Sequence, residues 1–193
     1  LTARRRVARA GARALFRAWG TPPRVQGDAA GLSVAASSAT RGCLVVSNHA
    51  SYLDSLVLTA ALPAGIVFVA KRALAPQRVA GLLLRRLGAM FVDRIDPRRG
   101  ASDAAQVDAA LARGDRVVVF PEGTFVREPG LLPLRMGAFL SAAVNAAPVI
   151  PVAILGTRAM LPDDDLLPRR AELRVVVGAP MLADGRDWRA AVD

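Results

Sequence analysis

Apolar and polar positions along this chain follow two rhythms. Short apolar runs closed by glycine or polar residues read as buried strands: Cys43–Val46, Ile66–Ala70, Val117–Phe120 and Val149–Leu155. Elsewhere apolar residues recur at intervals of three and four, the helical period. Leu53, Leu56, Val57 and Ala60 mark one such helix from Tyr52 onward. Further helices are expected over 78–87, closing on Gly88, through Gln106–Leu111, closing on Gly114, and from about Arg135 to Asn145. Shorter strands are expected between Gly88 and Arg94 and over Glu172–Val177, the last before Gly178 and Pro180. Residues 21–42, with Pro22, Pro23 and several glycines, read as loop with an edge strand around Leu32–Val34. Strands alternating with helices predict an α/β fold: a single domain with a mostly parallel central sheet flanked by helices.

Two stretches raise the question of a membrane. From Gly137 to Thr157 no residue is charged, and about 20 apolar residues suffice to span a bilayer. Pro148 and Pro151 interrupt this run and Asn145 precedes them, so a helix followed by a buried strand is the better account. Residues 1–20 read as one basic amphipathic helix. Ala8, Ala12, Leu15 and Trp19 share a side, Arg6, Arg9, Arg13 and Arg17 lie opposite, and Phe16 falls near the boundary. Such a helix either lies on an anionic membrane with snorkelling arginines, or packs on its own domain with a solvated basic face. It lacks the apolar core of a secretory signal.

Composition narrows the partners. The chain has 193 residues, 53% of them hydrophobic, enough for one domain with a sizeable core. Its net charge of +10 is almost wholly arginine, with Lys71 the sole lysine, and favours an anionic partner. Nucleic acid fits poorly, because basic and aromatic residues are not interleaved for base stacking. One cysteine and one histidine make neither a disulfide framework nor a zinc site. The chain starts at Leu1 and ends at Asp193 inside a helix-like run, so it reads as a piece of something longer.

The chemistry gathers where strands end. The lone histidine, His49, sits at the strand-to-helix turn after Cys43–Val46, and ligands of open α/β sheets bind at such carboxyl ends. Asp54, five residues on, is placed to fold back onto Nδ1–H and leave the other ring nitrogen as a general base. Ser51-x-x-Asp54 equally fits a helix capping box, and the aspartate can serve both purposes. Lys71, Arg94 and the run Glu122, Gly123, Thr124 follow other strands. If those strands are neighbours, the polar groups share one rim: an imidazole base, an arginine suited to phosphate, and N–H groups around a glycine. With no serine or cysteine in a nucleophile context, the pattern points to direct transfer. The base takes a proton from a hydroxyl, which attacks an activated carbonyl.

His49-x4-Asp54 within Asn48-His49-x-Ser51-x-x-Asp54, Gly88-x-x-Phe91-Val92-Asp93-Arg94, Phe120-Pro121-Glu122-Gly123-Thr124 and Val149-Ile150-Pro151-Val152-Ala153 are ordered segments. They resemble, in order and separation, the motifs of the glycerolipid acyltransferases, whose best-known members are 1-acyl-sn-glycerol-3-phosphate acyltransferases. The resemblance covers roughly residues 40 to 180. It implies a peripheral enzyme at the cytoplasmic face of a membrane, with residues 21–193 expected as the acyltransferase domain; the basic pattern of residues 1–20 makes them the expected membrane-associating helix. The implied reaction moves an acyl group from acyl-CoA or acyl-carrier protein to a lysolipid hydroxyl, phosphatidic acid being the default product, with no cofactor besides the donor. By the same resemblance His49 is the base, Asp54 its orienting partner, and Arg94 with Glu122 and Gly123 the acceptor-phosphate site, with Thr124 and Lys71 beside it.

Two departures bear on the acceptor. Family members often carry Arg-Ser after Glu-Gly-Thr, where Phe125 and Val126 stand here, and alanine at Ala73 replaces a common glutamate. A lysolipid needing less phosphate binding, such as lyso-ornithine lipid, is therefore an alternative acceptor. A (thio)ester hydrolase using the same histidine, or a non-catalytic domain binding anionic membranes, are the rival classes.

Overall fold

The computed structural model describes residues 2–28, 42–78, 80–93, 97–126, 130–162 and 167–182. The strands are β1 (Arg24–Gly27), β2 (Cys43–Ser47), β3 (Ile66–Lys71), β4 (Met90–Val92), β5 (Arg116–Val119), β6 (Pro148–Leu155), β7 (Arg174–Val177) and β8 (Met181–Leu182). The helices are α1 (Thr2–Ala18), α2 (Asp54–Ala61), α3 (Ala80–Leu87), α4 (Pro97–Ala112), α5 (Gly137–Val144) and α6 (Thr157–Met160). The strands form one sheet in the order β1-β7-β6-β2-β5-β3-β4. Pairing is parallel from β6 through β4, while β7 and the short β8 each lie antiparallel to β6.

The mostly parallel α/β sheet expected from the sequence is thus observed, and each apolar run becomes a strand because it is covered on both faces. Cys43 and Val45 face α1 and α2 with Phe68, Val118 and Ile150, whereas Leu44 faces α4 and α5 with Val117, Val119 and Val149. The uncharged stretch divides as expected into α5 and β6. Among the described residues no helix is long and apolar enough to cross a membrane.

Two expectations are revised, and a third is not reached. The edge strand expected around Leu32–Val34 lies outside the described residues. The observed edge strand is β1, whose Arg24–Gly27 pairs residue for residue with Arg174–Val177. Its side chains are all exposed, so main-chain pairing and the Arg24–Glu172 ion pair at 3.1 Å hold it and no burial pattern betrays it. Glu172–Val177 does not supply the last strand, because Met181 and Leu182 return to pair with Val149 and Pro148. On α1 the buried side is Ala12 and Phe16, 4% and 3% exposed, while Leu15 is 45% exposed.

The reason lies in what meets α1. It packs on α2, and Arg13 Nε donates to the Ala60 carbonyl at 2.9 Å, near the electronegative end of that helix. Arg5 reaches the Gly65 carbonyl at 3.4 Å and Asp115 at 3.5 Å. Arg5 and Arg13 therefore flank the packing side, and the arginines do not form one detached solvent face. Partial burial, with Arg13's charge nearby, lowers the pKa of Arg9.

Candidate active site

β2 ends at Ser47, and the turn that follows is bonded to both neighbouring strands. On one side Asn48 Nδ2 donates to the Ile154 carbonyl at 3.0 Å, and Asn48 Oδ1 accepts the Ile154 N–H at 2.7 Å. This side-chain amide replaces a main-chain pair and ties the turn to β6. On the other side Glu122, just beyond β5, is 5% exposed and uses both oxygens. Its Oε1 accepts the His49 N–H at 2.7 Å, and its Oε2 accepts the Leu132 N–H at 2.9 Å.

The turn closes on Asp54, which is fully buried at the start of α2. Its Oδ2 accepts the Ala50 N–H at 2.6 Å and the Ser51 N–H at 2.9 Å, and lies 2.8 Å from His49 Nδ1. A carboxylate only accepts, so this network assigns the proton to Nδ1 and leaves the lone pair on Nε2. Half of the capping box is also present. Asp54 takes the Ser51 N–H, but Ser51 Oγ donates to the Leu161 carbonyl at 2.9 Å and accepts the Leu53 N–H at 3.3 Å. The two readings of Asp54 are therefore compatible: one oxygen orders the turn and orients the ring.

Aromatic rings complete the surroundings of His49, whose side chain is 19% exposed. Phe120 stacks on the imidazole, centroids 4.3 Å apart at 16°, and Phe125 meets it edge-on at 4.7 Å and 71°. Tyr52 packs on Phe125 in turn, at 4.8 Å and 85°.

The remaining expected residues divide. β2, β5, β3 and β4 are successive parallel neighbours, so among the described residues the polar groups after β2, β5 and β3 lie along one rim. His49, Asp54 and Glu122 come into one bonded unit. Gly123, at φ +79, directs its N–H to the Phe120 carbonyl at 3.0 Å and closes the turn after β5. Thr124 is exposed, with Oγ1 3.4 Å from the Phe125 carbonyl. Lys71 ends β3 with an exposed side chain, and β5 lies between it and β2. Arg94 lies outside the described residues. Cys43 is buried, and burial pushes its thiol up to about 11, the nearby Arg116 offsetting this only in part. It is no nucleophile at neutral pH.

Sequence reasoning missed one buried cluster on this rim. Asp103 of α4, 6% exposed, accepts from Arg72 at 3.0 Å, from Gln106 at 3.1 Å and from the Asp93 N–H. Arg72 also donates to the Phe91 carbonyl at 2.9 Å, so the pair clamps the end of β4. The signal was available: Asp103 falls on the stripe of Val107, Ala110 and Leu111, where a charge needs partners. Beside this clamp, on the α4–α5 face, opens a cleft of about 280 Å³ walled by Val69, Val92, Val107 and Val119, with Arg135 also lining it.

A family profile described as acyltransferase matches residues 32–155, and the ordered motif segments of the sequence all fall within that range. The chain belongs to the acyltransferase family. A chloroplastic 1-acyl-sn-glycerol-3-phosphate acyltransferase of Brassica napus is 30% identical over 161 residues, covering 83% of this chain and 46% of the relative. The human 1-acyl-sn-glycerol-3-phosphate acyltransferase alpha is 38% identical over 112 residues, 58% of this chain and 40% of that protein. A lyso-ornithine lipid O-acyltransferase of Rhizobium meliloti is 36% identical over 115 residues, 60% and 38% of the respective chains. The chain thus spans less than half the length of these curated relatives. The fold matches that of the 1-acyl-sn-glycerophosphate acyltransferase of Thermotoga maritima at a TM-score of 0.75 and 21% identity, over 93% of this chain and 69% of that one.

The family's Glu-Gly-Thr segment here secures the main chain on either side of the site. In Glu122→Gln one acceptor oxygen becomes an NH2 group facing an N–H of His49 or Leu132. Unfolding in urea should show a loss of about 1–3 kcal/mol, the cost of stranding a buried donor. Unchanged stability would mean that the two main-chain contacts do not hold in solution.

Proposed function

We propose that this domain transfers a fatty acyl group from acyl-CoA or acyl-carrier protein to the hydroxyl of a lysolipid. The acceptor supported by the relatives' names is 1-acyl-sn-glycerol-3-phosphate, and the product is then phosphatidic acid. The observation that carries this reading is the buried Asp54 carboxylate 2.8 Å from His49 Nδ1. With Nδ1 protonated, Nε2 accepts the proton of the acceptor hydroxyl as its oxygen attacks the thioester carbonyl. The carbon–sulfur bond breaks, and the leaving thiolate recovers the proton from Nε2. The cleft walled by valines, with Arg135, Asp93 and Asp103 also lining it, supports a substrate with an apolar chain.

Release of CoA from acyl-CoA, measured with and without a panel of lysolipids, tests the reaction class. Acceptor-dependent release supports transfer; equal release without acceptor supports the hydrolase instead. In the same assay His49→Ala should lower the rate by about 10²–10⁴ while far-UV circular dichroism is unchanged. A folded variant with near-normal turnover removes His49 as the base.

Arg94 is assigned to the acceptor phosphate, since its planar fork suits two phosphate oxygens. Arg94→Ala should raise the KM for 1-acyl-sn-glycerol-3-phosphate and leave the KM for acyl-CoA nearly constant. A rise in the acyl-CoA KM alone would move Arg94 to the donor. The Rhizobium meliloti relative, and Phe125 and Val126 after Glu-Gly-Thr, support lyso-ornithine lipid as a second acceptor for the panel.

The domain works at the cytoplasmic face of a membrane, held peripherally by α1. Arg13 is tied to Ala60, so the lipid contacts fall to the exposed Arg4, Arg6 and Arg17. Each contributes about 1 kcal/mol near an anionic surface. Replacing all three by glutamine should weaken binding to phosphatidylglycerol vesicles, as should added salt. Binding indifferent to both would leave α1 with its packing role alone.

A further inference from the structure

A histidine base that accepts a proton from a lipid hydroxyl accepts one from water as readily, and the thioester is then hydrolysed. The transferase reading therefore needs something that keeps water from the imidazole, and this chain holds a candidate. His49 stands at the open rim of the sheet yet is only 19% exposed. The stacked Phe120 covers one ring face, and the edge-on Phe125 closes on the imidazole from a second direction. Tyr52, itself 67% exposed, backs Phe125 from the solvent side.

These rings come from separate parts of the chain. Phe120 follows β5, Phe125 follows the Gly123 turn, and Tyr52 lies in the loop between β2 and α2. Phe125 meets His49 through its ring and Tyr52 meets Phe125 in turn, so the contact with His49 is one of coverage. Edge-to-face geometry also restricts the tilt of the imidazole. Phe120 belongs to the core cluster under α1 and α2, so it is a fixed floor. Phe125 and Tyr52 are the outer part.

We propose that Phe125, backed by Tyr52, is a positioning residue that shields His49 from water and so favours transfer to the lysolipid over hydrolysis. The shield rests on the acyltransferase reading and adds to it a determinant of the partition between two acceptors. In transfer the lipid hydroxyl gives its proton to Nε2, its oxygen bonds the acyl carbon, the carbon–sulfur bond breaks, and the thiolate takes that proton and leaves as CoA. In hydrolysis water takes the hydroxyl's place, and the products are free fatty acid and CoA. The lipid brings apolar surface that can take up the space beside Phe125, and water does not.

His49 is the sole histidine of the chain, so carbethoxylation by diethyl pyrocarbonate, followed by the ultraviolet absorbance of the modified imidazole, reads this one ring. In Phe125→Ala the modification rate should rise roughly three- to tenfold, the range that one aromatic contact confers. The ratio of acceptor-independent to acceptor-dependent CoA release should rise by a similar factor. Phe125→Leu, which keeps apolar bulk, should restore most of the wild-type ratio. Tyr52→Ala removes an exposed side chain and serves if Phe125→Ala does not fold; its effects should have the same sign and be smaller. A modification rate unchanged in both alanine variants overturns the shield, as does a faster rate with an unchanged release ratio. Should the wild-type protein show no acceptor-dependent release, the transferase reading fails, and the modification rate still decides whether Phe125 covers His49.

Discussion

The site depends on one buried carboxylate oxygen. Asp54 Oδ2 receives the ring N–H of His49 and the main-chain N–H groups of Ala50 and Ser51. Without it two peptide donors and an imidazole donor would face a buried space with no acceptor. Hydrogen bonds to a charged group contribute about 1.5–3 kcal/mol each, and stranded donors cost a comparable amount. The five-residue spacing follows from this. The chain must leave β2, turn, and enter α2 soon enough for the helix's first residue to reach back over its own turn. A longer insertion would carry Asp54 beyond the donors that it satisfies.

Such a turn has to be held from outside as well, because its own bonds fix its shape but not its place on the sheet. Asn48 binds it to β6 and Glu122 to the end of β5, the two strands that flank β2. β5 reaches β2 only after the chain has made β3 and β4. The turn that carries His49 is therefore held by segments more than seventy residues apart, Glu122 lying 73 positions from His49. The same carboxylate that secures His49 also fixes Leu132, so the turn after β2 and the loop after β5 are held through one side chain.

Which parts were legible in the sequence follows from how local each cause is. Apolar runs showed β2, β3, β5 and β6 to within a residue or two, because burial on both faces leaves an unbroken signature. His49 and Asp54 were legible together, their partnership being contained within one turn. The partners of Glu122 were not, since they depend on β5 inserting between β2 and β3. β1 was missed because its side chains are exposed and its sequence carries no period. On α1 the wheel gave an apolar side, but which apolar residues are buried is decided by α2. Phe16 reaches the core and Leu15 does not.

The far end of the rim obeys the same logic as the near end. At β2 a buried aspartate one turn later accepts main-chain N–H groups. At β4 Asp103 does so for Asp93 from the following helix, and Arg72 adds a bond to the Phe91 carbonyl. Strand ends in a parallel sheet leave main-chain groups without a neighbour, and buried carboxylates with an arginine can satisfy them where water does not reach. At both places the first peptides beyond the strand are held by a buried carboxylate, Ala50 and Ser51 by Asp54 and Asp93 by Asp103. Ordering this rim therefore needs no special strain. It follows from satisfying the last peptides of two parallel strands with buried carboxylates.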